Sequence, residues 1–144
     1  MPATATVRPA TTADLPDLRR LDEWPRESAW TRLIGNEEVL VVEVDGAVVG
    51  LLHYTILWAT VPFLSLIVLQ EDARGRGLSR VLVDDLVARL KGQGYVALLS
   101  SSQTDEPEPQ AWHRHLGFTS NGIIENIADE GIGEVVFRLS FGEG

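Results

Sequence analysis

The sequence predicts a mixed α/β (α+β) domain of about seven strands, with about four helices packed against the sheet. Three observations lead there. β-branched runs surround an Asp45-Gly46 pair in "EVLVVEVDGAVVGLLHYTIL", the pattern of a tight hairpin. Leu78, Leu82, Leu86 and Leu90 recur every fourth position, the stripe of one long amphipathic helix. Strands and helices also follow one another as β-α-α-β-β-β-α-β-α-β-β, which is no regular βαβ repeat.

Each element has its own warrant. "ATVRPATTADLPDLRRL" reads as a strand ending near Arg8-Pro9, then a helix capped by Thr11 or Thr12 with Leu15, Leu18 and Leu21 on one face. A less defined helix covers about residues 26–35. The second hairpin strand continues to about Trp58, turns through residues 59–62 and returns over 63–69. The long helix stops at Gly92 and Gly94. "YVALLSS" is a fifth strand, "EPQAWHRHL" a short helix stopped by Gly117, and "FTSNGIIENI" with "GEVVFRLSF" a closing pair. Neither a repeat nor an interdomain linker is visible, so residues 1–144 are expected to form one domain.

Composition narrows the function. The chain has 144 residues, 44% of them hydrophobic, and a formal charge of −9. That balance argues against a nucleic-acid partner, because phosphate contacts need a basic surface. It suits a cationic small molecule. With no cysteine there is no thiolate zinc site and no catalytic thiol, and no His/Asp/Glu cluster has metal-ligand spacing. The longest apolar candidate, residues 48–69, is interrupted by Gly50, His53, Pro62 and Ser65. No membrane span and no signal pattern are expected, and a cytoplasmic location follows as the default.

The chemistry concentrates in "LQEDARGRGLSRVLVDDLVARL", residues 69–90. Arg74-Gly75-Arg76-Gly77 stands where a strand gives way to a helix. Helix N-termini have unbonded N–H groups and the positive end of the macrodipole. Glycines there let the backbone approach an anion, and Arg74, Arg76 and Arg80 add positive charge, so the turn suits a pyrophosphate. Its plainer role is a solvated connection with glycines for geometry. No Walker-type G-x-x-x-x-G-K-[ST] is present, and Arg80 stands where a G-x-G-x-x-G would need its third glycine.

Together with "AWHRHLGF", Ala111–Phe118, this turn resembles the GNAT superfamily of N-acetyltransferases over nearly the whole chain. Arg74-Gly75-Arg76-Gly77-Leu78-Ser79 matches that family's cofactor motif except that Ser79 occupies the last small position. The resemblance implies a mostly antiparallel central sheet and acetyl-CoA as co-substrate. It implies Val68 and Leu69 pairing with the pantetheine arm, and amides of Arg74, Gly75, Arg76, Gly77, Leu78 and Ser79 on the pyrophosphate. An acetyl group would pass directly to a primary amine, of a small molecule or a peptide, by proximity and orientation. The alternative is a non-catalytic acyl-CoA-binding or regulatory module. The family's closing strands often pair between subunits, which makes a homodimer an expectation.

Relatives usually have a tyrosine beside the cofactor sulfur, as general acid for the thiolate. Here that position is His113, a candidate acid or base; the plainer reading is a half-exposed helix residue. His115 is expected at the surface. His53 is expected to be a hydrogen-bonded structural residue, although a base is the functional alternative. Glu106, with Asp105 and Glu108 nearby, sits favourably at a helix N-terminus, or attracts a cationic amine. Trp24, Trp30 and Trp58 are expected in the core, while Trp24 and Trp30 offer the alternative of an aromatic wall for an alkylammonium. Asp84 and Asp85 read as the long helix's solvated face.

Overall fold

The computed structural model describes residues 4–142. Eleven regular elements follow one another: β1 (Ala5–Pro9), α1 (Leu15–Leu21), α2 (Glu27–Gly35), β2 (Val39–Val44), β3 (Ala47–Leu57), β4 (Val61–Leu69), α3 (Leu78–Gly92), β5 (Ala97–Gln103), α4 (Pro107–His115), β6 (Thr119–Ile124) and β7 (Glu134–Ser140). Two short 3₁₀ turns, Thr12–Asp14 and Glu71–Ala73, precede α1 and α3. The strands form one seven-stranded sheet in the order β1-β2-β3-β4-β5-β7-β6. It is mostly antiparallel; β4 and β5 run parallel, with Phe63 opposite Leu99 and Leu64 opposite Ser100. By contact density the chain divides into two compact units. One runs to Thr55 and resumes over Leu66–Arg89; the other takes Ile56–Ser65 and the chain from Leu90 onward.

The first unit is organised by a buried carboxylate. Asp14, only 5% exposed, accepts from both terminal nitrogens of the Arg8 guanidinium at 2.8 Å and from the Thr11 N–H at 2.7 Å. Arg8 also donates from Nε to Glu43 at 2.8 Å. One arginine thus ties β1 to β2 and to the cap of the Thr12–Asp14 turn, where Thr11, one of the two candidates the sequence offered, is the capping residue. Above it lies a core of Ala10, Leu18, Trp30, Val39, Val41, Val48 and Leu51, with Leu15 and Leu21 packed alongside.

The Asp45-Gly46 hairpin forms as expected, both residues having left-handed φ (53° and 79°), the primed turn that matches strand twist. β3 then bulges: Val42 faces Gly50 and Glu43 faces Val48, leaving Val49 unpaired. Its carbonyl accepts the Gln70 N–H at 2.8 Å, which ends β4 at a defined residue. Gly50 is packed tightly, because a Cβ there would meet Leu69 Cδ2 at 2.5 Å and the Val68 carbonyl oxygen at 3.0 Å.

Three expectations are corrected. β4 begins at Val61 rather than 63, so Pro62 lies within it, ahead of the first residue paired with β5; its missing N–H therefore costs no bond there. Trp58 is 83% exposed, at the tip of the β3–β4 turn, where it and Ala59 take left-handed φ of 51° and 59°. Trp24 is 90% exposed, since the segment between α1 and α2 turns it outward. Only Trp30 of the three is in the core.

In the second unit α4 closes with a full Schellman arrangement. Phe118 N–H donates to the His113 carbonyl and Gly117 N–H to that of Arg114, each at 3.0 Å. The Phe118 ring also stands edge-on to His113 at 5.3 Å, the hydrophobic contact that accompanies this cap. The "LGF" sequence is therefore a helix stop with a physical cause. α3 ends likewise, Tyr95 donating to Leu90 and Gly94 to Lys91 at 3.0 Å. Its stripe Leu78, Leu82, Leu86 and Leu90 is buried. Asp84 is exposed, and Asp85 is half-buried and paired with Arg89. Strand β6 is exposed throughout.

The Arg8 guanidinium holds the Asp14 carboxyl below the usual carboxylate range, its hydrogen bonds outweighing the cost of burial. A lowered folded value means that the stabilisation is present above the ordinary aspartate range and lost as pH falls through the folded value. Asp14→Asn should therefore lower stability by about 2 kcal/mol at neutral pH. In thermal melts the gap to wild type should close as pH falls below about 4; a gap constant with pH would refute the charge-based account.

Candidate functional site

Two groups of residues stand out, one in each unit. In the first, β4 delivers the half-buried Val68 and Leu69 to the Gln70 anchor, and the 3₁₀ turn over Glu71–Ala73 buries Ala73. Arg20 of α1 reinforces the anchor, donating to Gln70 Oε1 at 3.2 Å, the Val48 carbonyl at 3.1 Å and Asp17 at 3.2 Å. Gln70 in turn donates to Asp72 at 2.7 Å.

The glycine-arginine turn comes next along the chain. Gly75 and Gly77 have φ of +76° and +75°, left-handed values that residues with a Cβ adopt at a cost. A Cβ at either position would meet nothing within 4 Å, so dihedral rather than crowding calls for glycine, and the space beside the backbone is open. Val81 N–H donates to the Gly77 carbonyl at 3.2 Å, which makes Gly77 the residue at which the α3 ladder begins. Leu78 is buried and Ser79 half-buried, whereas Arg74, Arg76 and Arg80 are all exposed. Arg74 folds back far enough to reach the Leu69 carbonyl at 3.4 Å. The start of a 15-residue helix, an open glycine backbone and three exposed cations thus meet in a chain of net charge −9. Such a constellation can hold a polyphosphate anion.

In the second unit His113 is buried, 3% exposed, and not half-exposed as one expectation had it. Its ring stacks on Phe137 at 4.4 Å and 4°. Nδ1 lies 2.7 Å from the Pro109 carbonyl oxygen and Nε2 2.7 Å from Ser100 Oγ. A carbonyl can only accept, so Nδ1 bears the proton; in the neutral ring Nε2 then accepts from the Ser100 hydroxyl. Burial pushes the His113 pKa down, partly offset by the Pro109 hydrogen bond, which favours that neutral ring. A proton passed outward from Nε2 would first have to be acquired. Ser102, next on the same face of β5, has a buried hydroxyl with no partner among the described residues.

Trp30, His53 and Trp24 belong to the first unit. Trp30 is fully buried and meets the half-buried His53 edge-on at 5.6 Å. The His53 side chain shows no hydrogen bond among the described residues, contrary to the structural role expected of it, while its backbone pairs with Val39 in the β2–β3 ladder. Glu106 is the exposed cap residue of α4, with no cap bond from its side chain; Asp105, Glu108 and His115 are exposed too. Among the described residues, no three His, Cys, Asp or Glu side chains gather as a metal site, and no helix is long and apolar enough to cross a membrane.

Residues 7–118 match the model of the acetyltransferase (GNAT) family. The chain belongs to the GNAT acetyltransferase family. No curated protein matches it. Among solved structures, this GNAT chain resembles a GNAT-family acetyltransferase from Bacillus cereus at 24% identity and TM-score 0.76, covering 97% of this chain and 99% of that one. A ribosomal-protein-alanine N-acetyltransferase from Brucella melitensis is similar at 21% identity and TM-score 0.81, covering 94% and 99%. A GNAT family acetyltransferase from Elizabethkingia anophelis, with acetyl-CoA bound, aligns at 14% identity and TM-score 0.78, covering 95% and 98%. At these identities the likeness establishes the GNAT fold.

Within that fold the sequence had not pointed to Ser100, Arg20 or Gln70. Ser100 had a signal: in "ALLSSSQ" it alternates in step with the buried Leu98, so a core-facing serine needing a partner was readable. Arg20 and Gln70 had none, because their pairing joins residues fifty positions apart.

A histidine whose folded pKa is lowered adds stability above its unfolded value, near 6.5, and loses it as pH falls. His53 contributes in the same direction. His113→Phe should therefore show a shallower, not absent, decline in melting temperature between pH 7 and pH 5. An unchanged slope would mean that His113 is not held neutral.

Proposed function

We propose that this chain is an N-acetyltransferase that moves an acetyl group from acetyl-CoA to a primary amine by direct transfer. The observation that carries the reading is the pair of left-handed glycines, open on their Cβ side, at the start of α3. Those glycines let the backbone amides of Arg74 to Ser79 approach a pyrophosphate without an intervening side chain. Arg74 and Arg76 supply charge, and the backbone of Val68 and Leu69 offers hydrogen-bonding groups to an extended amide-bearing arm. Acetyl-CoA supplies the activated acyl group as a thioester. Names in the family support the chemistry: the Brucella melitensis relative is an N-acetyltransferase, and the Elizabethkingia anophelis one holds acetyl-CoA. No acyl-enzyme step is invoked, since the chain has no cysteine and Ser100 is buried.

One observation favours the alternative of an acyl-CoA-binding module without turnover. His113 stands where relatives usually place their tyrosine acid, yet both its ring nitrogens are engaged and its neutral form has no proton facing Ser100. Under the catalytic reading the leaving thiolate takes its proton from solvent or from the attacking amine.

Titration calorimetry with acetyl-CoA, beside NAD and ATP, tests the shared premise. Acetyl-CoA should bind selectively, and Gly77→Leu should weaken it at least tenfold, about 1.4 kcal/mol. Unchanged affinity in Gly77→Leu would sink the pyrophosphate assignment. Thiol release with a panel of amines separates enzyme from binding module.

A further inference from the structure

The β3–β4 turn of the second unit holds an aromatic side chain that the fold itself does not use. Thr60 N–H donates to the Leu57 carbonyl at 2.9 Å, across Trp58 and Ala59, both left-handed. An Asn-Gly pair adopts that turn without strain, whereas a bulky residue enters it at a conformational cost. Packing does not offset the cost, because the Trp58 indole is 83% exposed. No charged residue stands between positions 56 and 65, so the whole tip is apolar or neutral. A strained, unpacked tryptophan at such a tip points to contact with another surface.

The second unit is polarised along its strands. β4 and β5 begin at the Trp58 end, Phe63 facing Leu99 two residues into each. β7 finishes there, with Ser140 opposite Ala97 and Phe141 N–H donating to the Val96 carbonyl at 2.9 Å. Val96 is exposed beside it, and Lys91 Nζ stands 6.0 Å from the centre of the Phe141 ring. Arg114, in the last turn of α4, adds a second exposed cation. At the far end of the same strands the charge reverses. Asp105, Glu106 and Glu108 follow β5, Glu134 opens β7, and Glu125, Asp129 and Glu130 lie in the β6–β7 return. None of these carboxylates is in an ion pair among the described residues. The return also encloses a cleft of about 330 Å³ lined by Thr104, Ile123, Glu125, Asn126, Gly131 and Gly133. Its shape is held by Thr104 N–H on the Gly133 carbonyl at 2.9 Å and by Gly131 N–H on Asn126 Oδ1 at 2.6 Å. Ile123, 59% exposed, is its apolar wall.

We propose that the Trp58 end of one copy docks in the Ile123 cleft of a second copy, so that this chain associates head to tail. The indole enters the cleft against Ile123, and Lys91 and Arg114 face the carboxylates around its mouth. Each surface complements the other and neither complements itself. Two Trp58 ends would set lysine against lysine, and two cleft ends would set acid against acid. The surfaces lie at opposite ends of strands roughly 20 Å long. The contact is therefore heterologous, adding copies in a row rather than closing a twofold pair. Strand pairing between copies, expected from the sequence, would be a different and isologous contact. Acetyl transfer is no premise of the head-to-tail contact.

Sedimentation velocity of the full chain over a rising concentration series reads the association. Wild type should gain mass continuously and pass beyond a dimer. Trp58→Asn, whose side chain suits a left-handed φ, should stay monomeric and melt no lower than wild type. Ile123→Arg, at an exposed position, should also stay monomeric. An equimolar mixture of these two variants decides the geometry. One keeps its cleft and the other its tryptophan, so together they should form a dimer and nothing larger. Lys91→Glu should weaken wild-type association roughly tenfold. A wild type that stays monomeric, a dimer that never grows, variants that associate like wild type, or a mixture that fails to pair each overturn the proposal. Trp58→Gly and Ile123→Glu replace any variant that melts lower than wild type. Vesicles of phosphatidylcholine and phosphatidylserine probe the other occupant of the tip. Uptake of wild type but not of Trp58→Asn, with the protein alone monomeric, would assign the tip to a lipid surface and overturn the contact between copies.

Discussion

The residue at which β4 stops governs the placement of the glycine turn and of α3. Val49, left unpaired by the bulge in β3, accepts the Gln70 N–H. Gly50 beside it admits the Val68 carbonyl and the Leu69 side chain so closely that a methyl group there would have to displace them. Arg20 holds the Gln70 side chain from α1. These contacts set the residue at which strand becomes turn, and so the position from which the glycines and α3 depart. A shift of one residue would reverse the faces of Val68 and Leu69, because side chains in a strand alternate. One missing Cβ, one bulge and one arginine thus decide where the open glycine backbone is presented.

Much of this was legible in the sequence wherever a local rule dominates. Asp45-Gly46 fixes its own turn, the leucine stripe of α3 needs only helical periodicity, and Gly117 and Gly94 stop helices through bonds to residues a few positions away. Illegible features depend on what lies across the fold. Trp24 and Trp30 stand six positions apart with the same side chain, yet one is in solvent and the other in the core. That difference comes from the Asp22 turn and the packing of α2, which no periodicity reports. His113 was visible as an anomaly in "AWHRHLGF"; its pairing with Ser100 was not, because it required knowing which face of β5 meets α4.

The two buried or half-buried histidines show how similar electrostatics can lead to different roles. Both are held toward the neutral form by burial. His113 has its two nitrogens satisfied and its ring stacked on Phe137 with Trp112 and Phe118 edge-on, so neutrality there serves packing and a fixed tautomer. His53 is gripped through its ring alone and keeps its nitrogens unbonded among the described residues, so neutrality leaves it with a lone pair to offer. Hydrogen-bond accounting thus separates two rings that burial alone would treat alike.

The glycine turn has a further consequence. No side chain crowds Gly75 or Gly77, so the curl of the backbone is written into two dihedrals and belongs to the segment itself. Its placement, by contrast, is set from outside by Gly50, Gln70 and Arg20. Grip and aim are therefore separable properties of this protein. Changes inside the turn alter the curl itself, while changes well away from it carry an intact curl to a new position.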